Sequence, residues 1–284
     1  MKGVIIAAGY GSRFLPITKT IPKEMLPLYN LPSIHFAVQE LILSGIKDIL
    51  ILTSRRKKAL DDYFDIDFEL ETFFAGTDKE KLLKPYEINV CFVRQKKMMG
   101  VGNALLEVGP FIKDEPFIVI YPDDIIISTP PLSERLINAF NKTSKNVLTL
   151  INKEREDLTR FGVVKFKSSI KDYFEIEEIV EKPKGIPPSS YITIGRYLFT
   201  PELIYLLKKE WENFEGKGEF YHIDAINALA SQGKVIGIEI DKKDFYDTGT
   251  PLEYTKSFIR YALEYAEDRD LIREWIVNFI KESL

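Results

Sequence analysis

Lys2-Gly3-Val4-Ile5-Ile6-Ala7-Ala8-Gly9-Tyr10-Gly11-Ser12-Arg13 is a short apolar run that ends abruptly in glycines. It reads as a buried strand over residues 4–7 that delivers the chain into a loop. The pattern then repeats. Helical spacing covers residues 34–43 and stops at Gly45, and a second helix is expected at 57–64. Apolar, β-branched runs at 49–53, 88–93 and 117–121 read as strands. Alternating strands and helices predict an α/β fold: a Rossmann-like, mixed but mostly parallel sheet flanked by helices.

The rest of the chain departs from that rhythm. Residues 65–84, rich in Phe, Leu and Glu, read as an inserted helical excursion. After a helix at 132–140 the pattern turns strand-rich, with strands expected at 147–151, 161–166, 174–180 and 191–199. Pro187-Pro188-Ser189-Ser190 reads as a turn, not a linker, so residues 1–284 are expected to form one continuous domain with two lobes. From Pro251 the chain reads as helical to its end. Leu271, Ile272, Trp275, Ile276, Phe279 and Ile280 recur there at helical spacing. That stripe is equally a face packed on the chain's own body and an oligomer contact.

Composition narrows the functional classes. The 284 residues are 45% hydrophobic and 29% charged, an ordinary globular balance. The formal net charge of -4 supplies no global basic field, so neither nucleic acid nor an anionic membrane is an expected partner. Any anionic substrate must be held by a few local cations. The single cysteine, Cys91, excludes an intrachain disulfide; lying in an apolar run, it reads as a buried small hydrophobe. The first apolar run is too short for a signal peptide, and with no longer one elsewhere a cytoplasmic protein is expected.

In open α/β sheets ligands bind beyond the carboxyl ends of the strands, which is where Ala8, Gly9 and Gly11 fall. By itself such a loop is equally a tight strand-to-helix turn. It is not a dinucleotide fingerprint, because Phe14 stands where a third glycine belongs, and no Gly-Lys-Ser/Thr follows to make a phosphate loop. The segment continues to Pro22-Lys23-Glu24-Met25-Leu26-Pro27, where prolines stiffen a stretch that carries Arg13, Lys19 and Lys23 toward a polyphosphate. Tyr121-Pro122-Asp123-Asp124 closes a strongly apolar strand, and Asp247-Thr248-Gly249-Thr250-Pro251 supplies a distant second carboxylate. Mg2+ that carries substrate phosphates needs only one or two such groups, although either aspartate alone also suits a turn or a helix cap. Val180-Glu181-Lys182-Pro183 offers a carboxylate for sugar hydroxyls beside an ammonium for a phosphate, or merely a solvated strand end.

Together these motifs, with Val93-Arg94-Gln95 and Phe161-Gly162-Val163, resemble the sugar nucleotidyltransferase family over residues 2–254. The stretch Phe64-Asp-Ile-Asp-Phe-Glu-Leu-Glu71 resembles its bacterial and archaeal UTP:glucose-1-phosphate uridylyltransferase branch. The resemblance implies the nucleotide-diphospho-sugar transferase fold, with a nucleotide-binding lobe (1–130), a β-rich sugar-phosphate lobe (131–250) and carboxyl-terminal helices (251–284). It implies that Ala8, Gly9, Gly11 and Gln95 meet the pyrimidine nucleotide, with Glu24, Gly100 and Gly102 nearby. Arg13 and Lys23 would face the triphosphate, and Asp123 and Asp247 would bind Mg2+. Asp124, Gly162, Glu181 and Lys182 would hold glucose 1-phosphate. UTP and glucose 1-phosphate are the substrates expected, with assembly as a homodimer or homotetramer. Two rivals stay open: a thymidylyltransferase using dTTP, and a sensor that binds sugar nucleotides without turnover. Asn103 and the run Gly216 to Asp224 depart from the family pattern.

Overall fold

The computed structural model describes residues 1–83, 86–154, 158–170 and 172–283. In chain order the elements are β1 (Lys2–Ile6), β2 (Pro27–Leu28), β3 (Leu31–Pro32), α1 (Ser33–Leu43), β4 (Asp48–Thr53), α2 (Lys58–Phe64), α3 (Phe68–Phe74), α4 (Glu80–Leu83), β5 (Asn89–Arg94) and α5 (Val101–Ile112). There follow β6 (Phe117–Ile120), β7 (Asp124–Ile126), α6 (Leu132–Thr143), β8 (Asn146–Asn152), β9 (Gly162–Ile170), β10 (Tyr173–Glu181) and β11 (Tyr191–Phe199). The last are α7 (Glu202–Glu212), α8 (Ile223–Ser231), β12 (Val235–Glu239), β13 (Phe245–Asp247), α9 (Pro251–Tyr265) and α10 (Arg269–Ser283).

Nine strands form one sheet in the order β5-β4-β1-β6-β11-β8-β12-β10-β9. The first four are parallel, β11 runs antiparallel to both β6 and β8, and the β9-β10 ribbon closes the far edge. Successive residues of the parallel strands feed two different cores. Val4, Leu50, Leu52, Phe117 and Val119 pack with α5, α7 and α8, while Ile5, Ile49, Ile51, Ile118 and Ile120 pack with α1 and α6. Burial on both faces explains why these strands read as continuous apolar runs without alternation.

Several expectations need correction. Cys91 is exposed, because β5 is the edge strand of the sheet and half its side chains face outward. The second half is not purely strand-rich: α7 and α8 lie within it, and α5 also went unread. Gly102, Gly109 and Pro110 break the apolar rhythm of α5. The excursion is helical as expected, in α3 and α4, though its end at Lys84 lies outside the described residues.

One buried charge pair ties the layers together. Arg196 on β11 is fully buried, and its Nε donates to Glu40 Oε2 at 3.0 Å. Arg196 Nη1 also donates to the carbonyls of Tyr121 and Gly195. Glu40 on α1 accepts at its other oxygen from the Ser133 backbone N–H and hydroxyl at the start of α6. A charge left alone in such a place costs about 3–5 kcal/mol, whereas apolar replacement of both partners costs far less. Glu40→Ala is therefore expected to lower unfolding free energy by about 3–5 kcal/mol in a denaturant titration, and Glu40→Leu with Arg196→Met to recover most of the loss. A loss under about 1 kcal/mol in the single variant would show that the pair bears little of the fold.

Candidate active site

The loop after β1 turns sharply at Gly11, whose φ of 65° is left-handed and whose missing Cβ would sit 3.0 Å from Thr18 Cγ2. Thr18 closes the turn by donating its hydroxyl to the Gly11 carbonyl at 2.8 Å. The loop is thereby set beyond the carboxyl end of β1, leaving Gly9 exposed and Ala8 buried. Arg13 reaches across to the Gly249 carbonyl at 3.3 Å, which joins this loop to the Asp247 segment 236 positions away.

The acidic residues converge through a small ribbon. β13 pairs antiparallel with β7, and in that register Asp247 stands opposite Asp124. Thr248 clamps the neighbouring turn by donating both its N–H and its hydroxyl to the Asp123 carbonyl at 2.9 and 2.8 Å. A Cβ on Gly249 would lie 3.1 Å from Asp247 Oδ1, 3.7 Å from Arg13 Nη1 and 3.8 Å from Asp123 Oδ2, so both carboxylates and the guanidinium border one spot. Burial raises Asp124, and the Asp123 and Asp247 charges push it further, to about 7. Asp124 Oδ2 accepts the Gly195 N–H at 2.7 Å. Burial also raises Asp123, but the Lys23 ammonium 2.5 Å away outweighs it and holds that carboxyl below the usual range.

Hard oxygen donors crowded until one resists ionisation are a fitting seat for a divalent cation. Among the described residues no group of three or more His, Cys, Asp or Glu side chains is arranged to hold an ion. Asp123 and Asp247 are the two carboxylates there that could hold Mg2+, an ion that carries substrate phosphates on only one or two protein groups.

The β-rich half supplies the opposite wall. Gly162 at the start of β9 pairs with Glu181 at the end of β10, and a Cβ there would press within 3.2 Å of Glu181 Oε2. Lys182 holds a positive φ of 48°, its N–H donates to the Phe161 carbonyl, and its ammonium lies 3.2 Å from Glu181 and over the Tyr221 ring. A non-glycine residue in that conformation aims its side chain where an ordinary strand end would not. Arg13, Asp123, Asp124, Gly162, Glu181, Lys182 and Asp247 line one cavity of about 460 Å3.

Other sequence-predicted residues lie outside the cavity lining. Glu24 is buried, and both its oxygens accept from Lys57 Nζ at 2.7 Å, so it braces the loop from behind. Gln95 is buried, with Nε2 donating to Asn103 Oδ1 at 2.8 Å. Gly100 and Gly102 press on the Phe220-Tyr221 backbone, where a Cβ on either would meet an oxygen at 2.6 Å. Sequence reasoning passed over Tyr121 as a side chain, and also Gly195, Tyr197 and Tyr221, all of which line the cavity. Tyr121 stood in the quoted motif and Tyr221 in the Gly216 to Asp224 run, whereas Gly195 and Tyr197 sat in an apolar run without a signal.

Comparison with known proteins agrees with this geometry. The model of the nucleotidyl transferase family matches residues 2–264. A UTP–glucose-1-phosphate uridylyltransferase of Staphylococcus saprophyticus is 37% identical, the match covering 99% of this chain and 97% of that one. A UDP-glucose pyrophosphorylase solved in complex with UDP-glucose superposes with a TM-score of 0.79 at 33% identity, over 92% of this chain and 97% of the other. A UTP-bound enzyme of that kind from Acinetobacter baumannii gives a TM-score of 0.86 at 28% identity, over 97% and 98% of the two chains. The chain belongs to the nucleotidyl transferase family.

Proposed function

We propose that this protein transfers the uridylyl group of UTP to glucose 1-phosphate, giving UDP-glucose and pyrophosphate. The observation that carries the reading is one cavity in which Arg13 and the carboxylates Asp123, Asp124 and Asp247 meet Gly162, Glu181 and Lys182 from the other half of the chain, with Lys23 paired to Asp123. Full-length relatives named for this reaction support the choice of substrates.

A phosphate oxygen of the sugar phosphate attacks the α-phosphorus of UTP in line. The bond from that phosphorus to the bridging oxygen breaks, and pyrophosphate leaves with the electron pair. Such a transfer is accelerated by alignment and by neutralising charge, with no covalent protein intermediate. Lys182 offsets the attacking phosphate, and Glu181 accepts from sugar hydroxyls. Arg13 and Lys23 offset the departing charge; Lys23 spends one donor on Asp123, and an ammonium has two more to offer. Mg2+ held by Asp123 and Asp247 would polarise the phosphoryl oxygens. Ala8, Gly9, Gly11 and Gln95 border the base, with the 1–130 lobe serving the nucleotide and the 131–250 lobe the sugar phosphate.

No helix among the described residues is long and apolar enough to cross a membrane, which suits a cytoplasmic enzyme. The oligomer contact in this reading is α10. Leu271, Trp275, Phe279 and Ile280 are all exposed, and Trp275 stacks on Phe279. A second copy is the fitting cover, since one self-complementary stripe is all a two-fold contact needs.

Pyrophosphate release should be measured across triphosphates and sugar phosphates. UTP with glucose 1-phosphate should be the best pair and dTTP a slower substrate; dTTP preferred over UTP would move the protein to the thymidylyl branch, and no turnover of any pair would leave a sensor. Asp123→Asn should slow turnover by about a hundredfold or more with the fold intact by circular dichroism, and chelation with EDTA should do the same. Full activity in either would remove the metal from the reading. Truncation after Asp268 should yield a monomer by light scattering, and an unchanged assembly would place the contact elsewhere.

A further inference from the structure

His222 caps the start of α8 and is only 6% exposed, yet it lines the same cavity as Asp124, Glu181 and Lys182. Its Nε2 is 3.3 Å from the Tyr121 hydroxyl, while its Nδ1 has no hydrogen-bond partner among the described residues. A buried ring nitrogen left without a partner costs about 1–3 kcal/mol, which a hydroxyl or water brought into the cavity would recover. The ring sits between two tyrosines that also line the cavity, 6.5 Å from Tyr121 and 5.7 Å from Tyr197 by ring centroids. The Asp124 and Glu181 charges act on both tyrosines, which places this aromatic nest against the acidic side of the cavity.

The chemistry of the nest indicates which part of a ligand it suits. Burial pulls His222 down to about 4, so the imidazole is neutral at working pH and offers direction without charge. A phosphate would be poorly served by it, and Lys182 and Arg13 already provide cations for that purpose. Aromatic rings beside polar nitrogens and carboxylates are instead the surroundings of a sugar ring, whose C–H faces pack on π surfaces while its hydroxyls are read one at a time.

From this arrangement we infer that His222, with Tyr121 behind it, is a specificity-determining residue that hydrogen-bonds one hydroxyl of the hexose through Nδ1. The inference rests on the reading of the cavity as a hexose 1-phosphate site.

Steady-state kinetics of the wild type, His222→Leu, His222→Gln and His222→Asn test it, with UTP and with glucose 1-phosphate and its four monodeoxy analogues at carbons 2, 3, 4 and 6. The wild type should lose about tenfold or more in kcat/KM with one analogue above the others. In His222→Leu and His222→Gln the KM for glucose 1-phosphate should rise by a similar factor, that analogue should suffer no further loss, and the KM for UTP should hold. Asparagine places its amide near the position of Nδ1 and should recover part of the discrimination, which a merely structural role would not produce. The inference is overturned if the KM values of both substrates rise together, if no analogue stands out in the wild type, or if the same analogue is still penalised in His222→Leu. Failure of the wild type to make UDP-glucose would instead sink the reaction assignment. The same variants would then be titrated calorimetrically with the hexose 1-phosphates, where unchanged binding in His222→Leu overturns the inference on its own terms.

Discussion

The Arg196–Glu40 pair is the constraint on which the site depends. Arg196 is the largest fully buried side chain among the described residues, and its Nε and Nη1 donate to Glu40 and to the carbonyls of Tyr121 and Gly195. Those carbonyls belong to the two backbone segments that bring Tyr121, Asp123 and Asp124 against β11. Through Glu40 the same network reaches α1 and the first turn of α6. A guanidinium with a fixed fork of donors suits this task better than a point charge, because it sets angles as well as distance. The acidic turn is therefore tied by hydrogen bonds to a buried base, an arrangement that favours alignment of a bound substrate.

On that base, charge is concentrated locally in a chain whose net charge alone would repel polyanions. Lys23 offsets Asp123, burial and then the Asp123 and Asp247 charges raise Asp124, and Lys57 is taken up by Glu24 in the support behind the loop. Asp123 and Asp247 face a spot beside Gly249 that Arg13 also borders, and Arg13 and Lys182 line the cavity. This division suits a ligand with a polyphosphate at one end and a neutral polyol at the other.

Much of this was legible in the sequence, and the limits are instructive. The parallel strands read correctly because burial on both faces leaves unbroken apolar runs, as in 49–53 and 117–121. The motifs ending at Arg13, Asp124, Lys182 and Asp247 read as strand ends, which is where cavities form in such sheets. What stayed hidden depends on partners far away in sequence. Arg196 in Tyr191–Phe199 looks like a stray charge until Glu40, 156 positions away, is placed beside it. His222 carries no spacing signal at all, and its meaning comes from Tyr121, 101 positions away. Cys91 misled because an apolar neighbourhood in sequence does not reveal an edge strand.

The central claim is that the aligned groups perform a single displacement without a covalent nucleotidyl intermediate. Cavity-lining His222 is the natural alternative nucleophile, and its Nε2 already lies against Tyr121. Exchange of labelled pyrophosphate into UTP in the absence of any sugar phosphate tests the claim directly. The account predicts no exchange until glucose 1-phosphate is added; exchange in its absence would mean that a protein side chain takes the uridylyl group first, and would contradict it.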